Sequence, residues 1–137
     1  MSEPLGLEVQ IARPFDQVLE TVRAALKVEG FGILTEIDFE QAFREKLGRD
    51  FRPYVILGAC NPPLAYAAVV ADAQVGLLLP CNVTVEAVGP QTSMVRLTDP
   101  EVLLRASAAA GSPALREIAQ DARARLVRVA AALKQES

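Results

Sequence analysis

The sequence predicts an α+β domain: a mainly antiparallel sheet of about five strands with helices packed largely on one face. Three observations predict it. Short stretches of period-two alternation are interleaved with segments whose apolar residues recur at helical spacing. The last two strand-like stretches are separated by little more than Gly89-Pro90, so they pair back as a hairpin. Finally, 137 residues with 51% hydrophobic content suit one domain with a core of its own, spanning about residues 7–133.

The elements follow in order. LEVQI, residues 7–11, places Leu7, Val9 and Ile11 on one face of a half-buried strand. Pro14 suits the first turn of a helix, where its missing N–H costs nothing. Phe15, Val18, Leu19, Val22 and Leu26 continue at helical spacing, and Gly30 stands where a left-handed residue ends a helix. FGILTEI, 31–37, reads as a second strand with Ile33 and Ile37 on one face. Asp38 caps a short helix with the stripe Phe39, Ala42, Phe43 and Leu47, Gln41 holds the reciprocal N3 position, and Gly48 stops it. YVILGAC, 54–60, is the third strand, after which Asn61 as N-cap and Pro62 at N1 open a helix to about Val70. NVTVEAV, 82–88, and SMVRLT, 93–98, form the hairpin. Asp99-Pro100 opens a helical stretch to about Gly111. Ser112-Pro113 starts the last helix, with Leu115, Ile118, Ala119, Ala122, Leu126, Val129 and Leu133 as its buried face. The first residues and the K-Q-E-S tail are expected to be mobile.

The bulk numbers exclude several functions. A net charge of −3 argues against a nucleic-acid partner, which requires a basic face. Arg116, Arg123, Arg125 and Arg128 do cluster, but Glu117 and Asp121 are interleaved, as on a solvated helix face. No apolar run approaches the roughly 18 residues of a membrane span, and the N-terminus lacks the pattern of a signal peptide. A cytoplasmic location with reduced thiols is therefore expected. The chain contains no histidine, which removes Ser-His-Asp and Cys-His catalysis and leaves no ordinary neutral-pH base. No phosphate-binding glycine loop is present.

The chemistry-bearing residues are two boxes, Cys60-Asn61-Pro62 and Pro80-Cys81-Asn82, which hold the only cysteines. Cys60 precedes a helix start, where unpaired N–H groups and the macrodipole can favour a thiolate. The bland alternative is a free cysteine packed as a small hydrophobe. Cys81 shares its alternation face with Val83 and Val85 and reads as buried. If both thiols lie at the same end of neighbouring strands, they can approach to disulfide or metal-bridging distance. Asn61 and Asn82 would make such a pocket polar, or serve as ordinary caps. The carboxylates suggest less: Asp38 and Asp99 cap helices, Asp72 falls in a connecting loop, and Glu86 belongs to a solvated strand face.

The boxes GACNPPLAYAA and GLLLPCNVTVEAVG, with FDQVLETVRAALKVEGFGILTEID upstream, resemble the family catalogued as domain of unknown function number 302. The matching residues are Gly30-Phe31, Asp38, Cys60-Asn61-Pro62, Leu79-Pro80-Cys81-Asn82-Val83 and Asp99-Pro100. The resemblance implies a curved antiparallel sheet with helices on one side, similar in architecture to TATA-binding protein but not in DNA binding. Fusion of some members to rhodanese-like or redox domains implies an association with thiol chemistry, and the resemblance carries no activity.

The leading expectation is a non-catalytic binding module, with Cys60, Asn61, Cys81 and Asn82 around a small ligand, a sulfur species or a metal ion. One alternative is a thiol-redox protein with Cys60 as nucleophile and Cys81 as resolving partner. The other is a purely structural dimerisation or adaptor domain. A homodimer is expected, with neither a nucleic acid nor a membrane as partner; no cofactor is assigned.

Overall fold

The computed structural model of the protein describes residues 4–107 and 111–136. Five strands form one sheet: β1 (Gly6–Ile11), β2 (Gly32–Asp38), β3 (Tyr54–Cys60), β4 (Cys81–Gly89) and β5 (Thr92–Thr98). Their order is β1-β5-β4-β3-β2 and every neighbouring pair is antiparallel. Among the described residues five α-helices join them: α1 (Phe15–Val28), α2 (Phe39–Leu47), α3 (Pro62–Ala71), α4 (Pro100–Arg105) and α5 (Pro113–Lys134), with a 3₁₀ helix at Ala73–Leu78. Residues 1–3 and Ser137, within the stretches expected to be mobile, lie outside the described residues; Glu136 pairs with Arg13 at 2.9 Å.

One face of the sheet carries Val9, Ile11, Val55, Leu57, Val83, Val85, Val95 and Leu97, all buried against α1 and α5. From α1 come Val18, Val22 and Leu26, at the spacing the sequence shows; from α5 come Leu126, Val129 and Leu133. Each such side chain contributes about 1.5–3 kcal/mol relative to exposure. At 22 residues, α5 outruns this core, and its first half, through Leu115 and Ala119, joins a second cluster with Ala68, Val75 and Leu104.

The caps are as read. Asp38 accepts from the Gln41 backbone N–H at 3.0 Å, although the Gln41 side chain turns to Glu45 rather than back to Asp38. Gly48 closes α2 at φ 63°. Ser112 caps α5 through the Leu115 N–H. Pro14 stands one residue before its expected place, as the N-cap of α1. The α4 helix stops at Arg105, and residues 108–110 of the longer expected stretch lie outside the described residues.

Two expectations are corrected. Ile33 and Ile37 do not share a face, because Leu34 is an extra residue between the pairs Ile33↔Ala59 and Thr35↔Gly58. Such a bulge inverts the alternation after it. Ile33 packs on the core, Glu36 falls opposite Leu57 and pairs with Arg23 of α1, and Ile37 is left exposed.

Glu86 is not solvated: it is 4% exposed, held by Arg96 at 2.6 Å and by Arg52 on the sheet face opposite the main core. Glu8 completes the row by pairing with Arg96. At the end of this face α2 packs its aromatic stripe: Phe39 and Phe43 stack with ring centroids 5.0 Å apart, and Phe51 and Tyr54 extend the group.

Candidate functional site

The two boxes meet at one end of the sheet. Cys60 is the last residue of β3 and Cys81 the first of β4; Cys81 lies directly opposite Ala59, one residue from Cys60. Neither thiol is in a disulfide, Cys60 being half-buried and Cys81 buried. Side chains close over Gly58 here: a Cβ on it would collide with Thr35 Oγ1 and come within 2.9 Å of Pro80 Cγ. Leu79–Pro80 is cis.

Between this end of the sheet and helices α3, α4 and α5 lies a cleft of about 360 Å³. Its floor is Ala59, Cys60 and Cys81; Leu64 and Ala68 of α3 and Val75 and Leu79 beyond it form one wall; Leu104, Leu115 and Ala119 form the other. Leu34, the bulged residue, and Val69 stand at its mouth, 67% and 45% exposed. Among the described residues no charged side chain lines it; beyond the two thiols, its polar side chains are Asn61 and Thr98. The pocket at the boxes is therefore apolar, not the polar one expected from two asparagines.

Asn61 is buried and its hydrogen bonds stay inside the fold. Oδ1 accepts from the Leu64 N–H and Nδ2 donates to the Glu29 carbonyl, both at 3.3 Å. Asn82 does not join the other three. Adjacent strand residues point to opposite faces, so Asn82 shares the face of Thr84 and Glu86, and its carbonyl accepts from Thr98 Oγ1 at 2.7 Å. There it borders a more polar depression of about 430 Å³ with Tyr54, Thr84 and Arg96.

The environment of the thiols decides which chemistry they support. Burial, with the neighbouring Cys60 adding to it, pushes the Cys81 thiol up to about 11, so it stays protonated at neutral pH. Cys60 precedes the start of α3, but that start offers little to an anion. Pro62 and Pro63 carry no N–H, the Leu64 N–H is bonded to Asn61 Oδ1, and the Ala65 N–H to the Asn61 carbonyl. The N–H groups of this first turn are thus absent or already bonded. Among the described residues, no group of three or more His, Cys, Asp or Glu is placed to hold a metal ion.

Sequence reasoning placed both boxes but missed the opposite wall. Leu115 and Ala119 read as part of an ordinary buried helix face, and Leu104 was not singled out. A usable signal was α3 itself, PPLAYAAVVA, which has no polar face yet fully buries only Ala68. A helix apolar all round is normally enclosed.

Fold and site together define a small α+β domain with an apolar cleft at one end of an antiparallel sheet. The chain belongs to the family described as Domain of unknown function DUF302, whose profile matches residues 7–133. It is similar to the crystal structure of an uncharacterized conserved protein DUF302 from Bacillus stearothermophilus: 30% identity, 95% of this chain and 98% of that one covered, TM-score 0.83. Among curated proteins no relative matches the chain. No helix among the described residues is long and apolar enough to cross a membrane.

Proposed function

We propose that the protein is a non-catalytic binding module for a small, uncharged, apolar ligand held in the cleft where the two cysteine boxes meet. The observation that carries this reading is the cleft itself: about 360 Å³ walled by aliphatic side chains, without a single charged residue. That volume is at the small end of the roughly 300–1,000 Å³ of ligand pockets, which are mostly apolar with a few polar groups that orient the ligand. Here the candidate for orientation is Cys60, because Asn61 is already committed to Glu29 and Leu64. A thiol-redox cycle is less well supported. Its resolving thiol, Cys81, is buried and protonated, and the chain has no histidine to act as base.

The test is thermal unfolding with decanol, decanethiol and decanoate as probes, repeated with the cleft-filling variant Ala119→Leu. A ligand that binds only the folded state raises the midpoint in a saturable way. Decanol or decanethiol is expected to do so, decanoate to do so less because nothing in the cleft neutralises its charge, and A119L to abolish the shift. A weaker decanol shift in Cys60→Ala would identify Cys60 as the orienting group. No saturable shift with any probe, or a shift that persists in A119L, would overturn the reading.

A further inference from the structure

We propose that the uncharged face formed by α3, the 3₁₀ helix after it and the bulged Leu34 is the surface through which two copies of this chain pair, each copy covering the mouth of the cleft. The inference rests on the cleft as a site, but not on what the cleft binds.

Residues 53–85 carry one charged side chain, Asp72, and no Lys or Arg stands between Arg52 and Arg96. Much of this stretch is outside. Tyr66, Val70 and Leu77 are 75%, 69% and 90% exposed, and Leu34 and Val69 beside them form the cleft mouth. Tyr66, Val69 and Val70 follow at i, i+3 and i+4 and so share one side of α3. Clusters of exposed apolar side chains mark interaction surfaces, whereas single ones need no explanation.

The charge pattern selects the occupant. At a two-fold axis each residue meets its own copy or its near neighbours, so a charged face repels itself and an uncharged one does not. Asp72 is half-buried and bonded to the Gln74 N–H as the cap of the 3₁₀ helix. A membrane surface favours apolar residues flanked by basic ones, and the stretch that carries α3 and the 3₁₀ helix, from residue 53 to 95, contains none. An unlike protein partner is ordinarily steered and selected by complementary charge, which this face does not offer. A second copy supplies a matching uncharged surface.

The test is sedimentation equilibrium of the full chain, 14.7 kDa per copy, alongside Tyr66→Glu/Val70→Glu. The wild-type chain is expected at twice that mass, and the double variant at the single mass with unchanged circular dichroism, a loss of affinity of roughly tenfold or more. Leu77→Ser is the second variant should the first not fold, with the same expected direction. Val28→Glu/Leu47→Glu, at exposed apolar positions elsewhere, should leave the dimer intact. A wild-type chain that stays monomeric up to ~100 µM, a dimer that survives both α3-face variants, or flotation of the chain with neutral phosphatidylcholine vesicles in place of self-association would each overturn the proposal. Decanol binding read in parallel separates the two claims: a dimer that binds no probe supports this inference while the ligand reading fails.

Discussion

Asn61 Nδ2 donates to the backbone carbonyl of Glu29 at 3.3 Å, so the residue that starts α3 also completes the end of α1. Arg125 donates to the same carbonyl at 3.1 Å, and Arg128 pairs with the Glu29 carboxylate at 2.9 Å. Gly30 makes the junction possible: it sits at φ +85°, and a Cβ there would come within 2.9 Å of Asn61 Nδ2. The Cys60 box is thus anchored by its asparagine before its cysteine contributes any chemistry.

Asn61→Ala is expected to cost about 1–2 kcal/mol, combining a lost N-cap with a part-buried carbonyl left with one donor fewer. Asn61→Asp keeps the cap but sets a carboxylate against the Glu29 carbonyl, and should recover only part of that loss. Urea unfolding of the pair checks the order. An Asp variant as stable as wild type would mean that the contact with Glu29 carries nothing.

Gly30→Ala is expected to destabilise by at least about 1–2 kcal/mol, the cost of a left-handed backbone for a residue with a Cβ. Gly76→Ala, where nothing lies within 4 Å of the added atom, serves as the comparison and should be close to neutral. Thermal midpoints of the two variants give the difference.

Native Cys81 should resist iodoacetamide at neutral pH and react freely once the chain is unfolded, read by peptide mass spectrometry. Its raised folded value also has a consequence for stability. In the unfolded chain the thiol ionises near its ordinary value, while in the folded chain it holds its proton to about 11. Its contribution is therefore complete below the unfolded value and is lost as pH rises from about 9 toward 11. Cys81→Ala should flatten this alkaline decline. A decline of equal slope in the variant would place its origin elsewhere.

Glu86 predicts the opposite limb. Burial alone would raise its carboxyl, but hydrogen bonds and charge from Arg96 and Arg52 outweigh that and hold it below the usual value. Its stabilisation is present above the unfolded value and lost as pH falls through the lower folded one. Glu86→Gln should cost roughly 1–3 kcal/mol at pH 7, with both arginines partly exposed, and reduce the difference from wild type in acid. A difference independent of pH would remove the charge from the explanation.

Much of this fold is legible because its signals are local. Alternating or near-continuous apolar runs located the five strands, and Asp38, Gly48, Asn61 and Ser112 mark helix ends by rules that need only a few neighbouring residues. What was not legible depends on distant partners. No alternation pattern announces the extra residue at Leu34, so Ile37 was placed on the wrong face. Glu86 looked like an ordinary polar position because Arg52 and Arg96 are brought to it only by the sheet register. For the site, the two boxes could be brought together from sequence, but Asn82 was grouped with its neighbour although adjacent strand residues diverge. The apolar wall from Leu104, Leu115 and Ala119 comes from helices that packing alone delivers to the cleft.

The most direct test of the central claim is a methyl-resolved NMR titration of the wild-type chain with decanol. The account predicts saturable shifts confined to methyls of Ala68, Leu104, Leu115 and Ala119, with the methyls of Val9, Val85 and Val95 in the main core unmoved. Shifts limited to exposed positions such as Val28 and Leu47, or no saturable shift at all, would contradict it and leave the cleft an imperfectly filled part of the core.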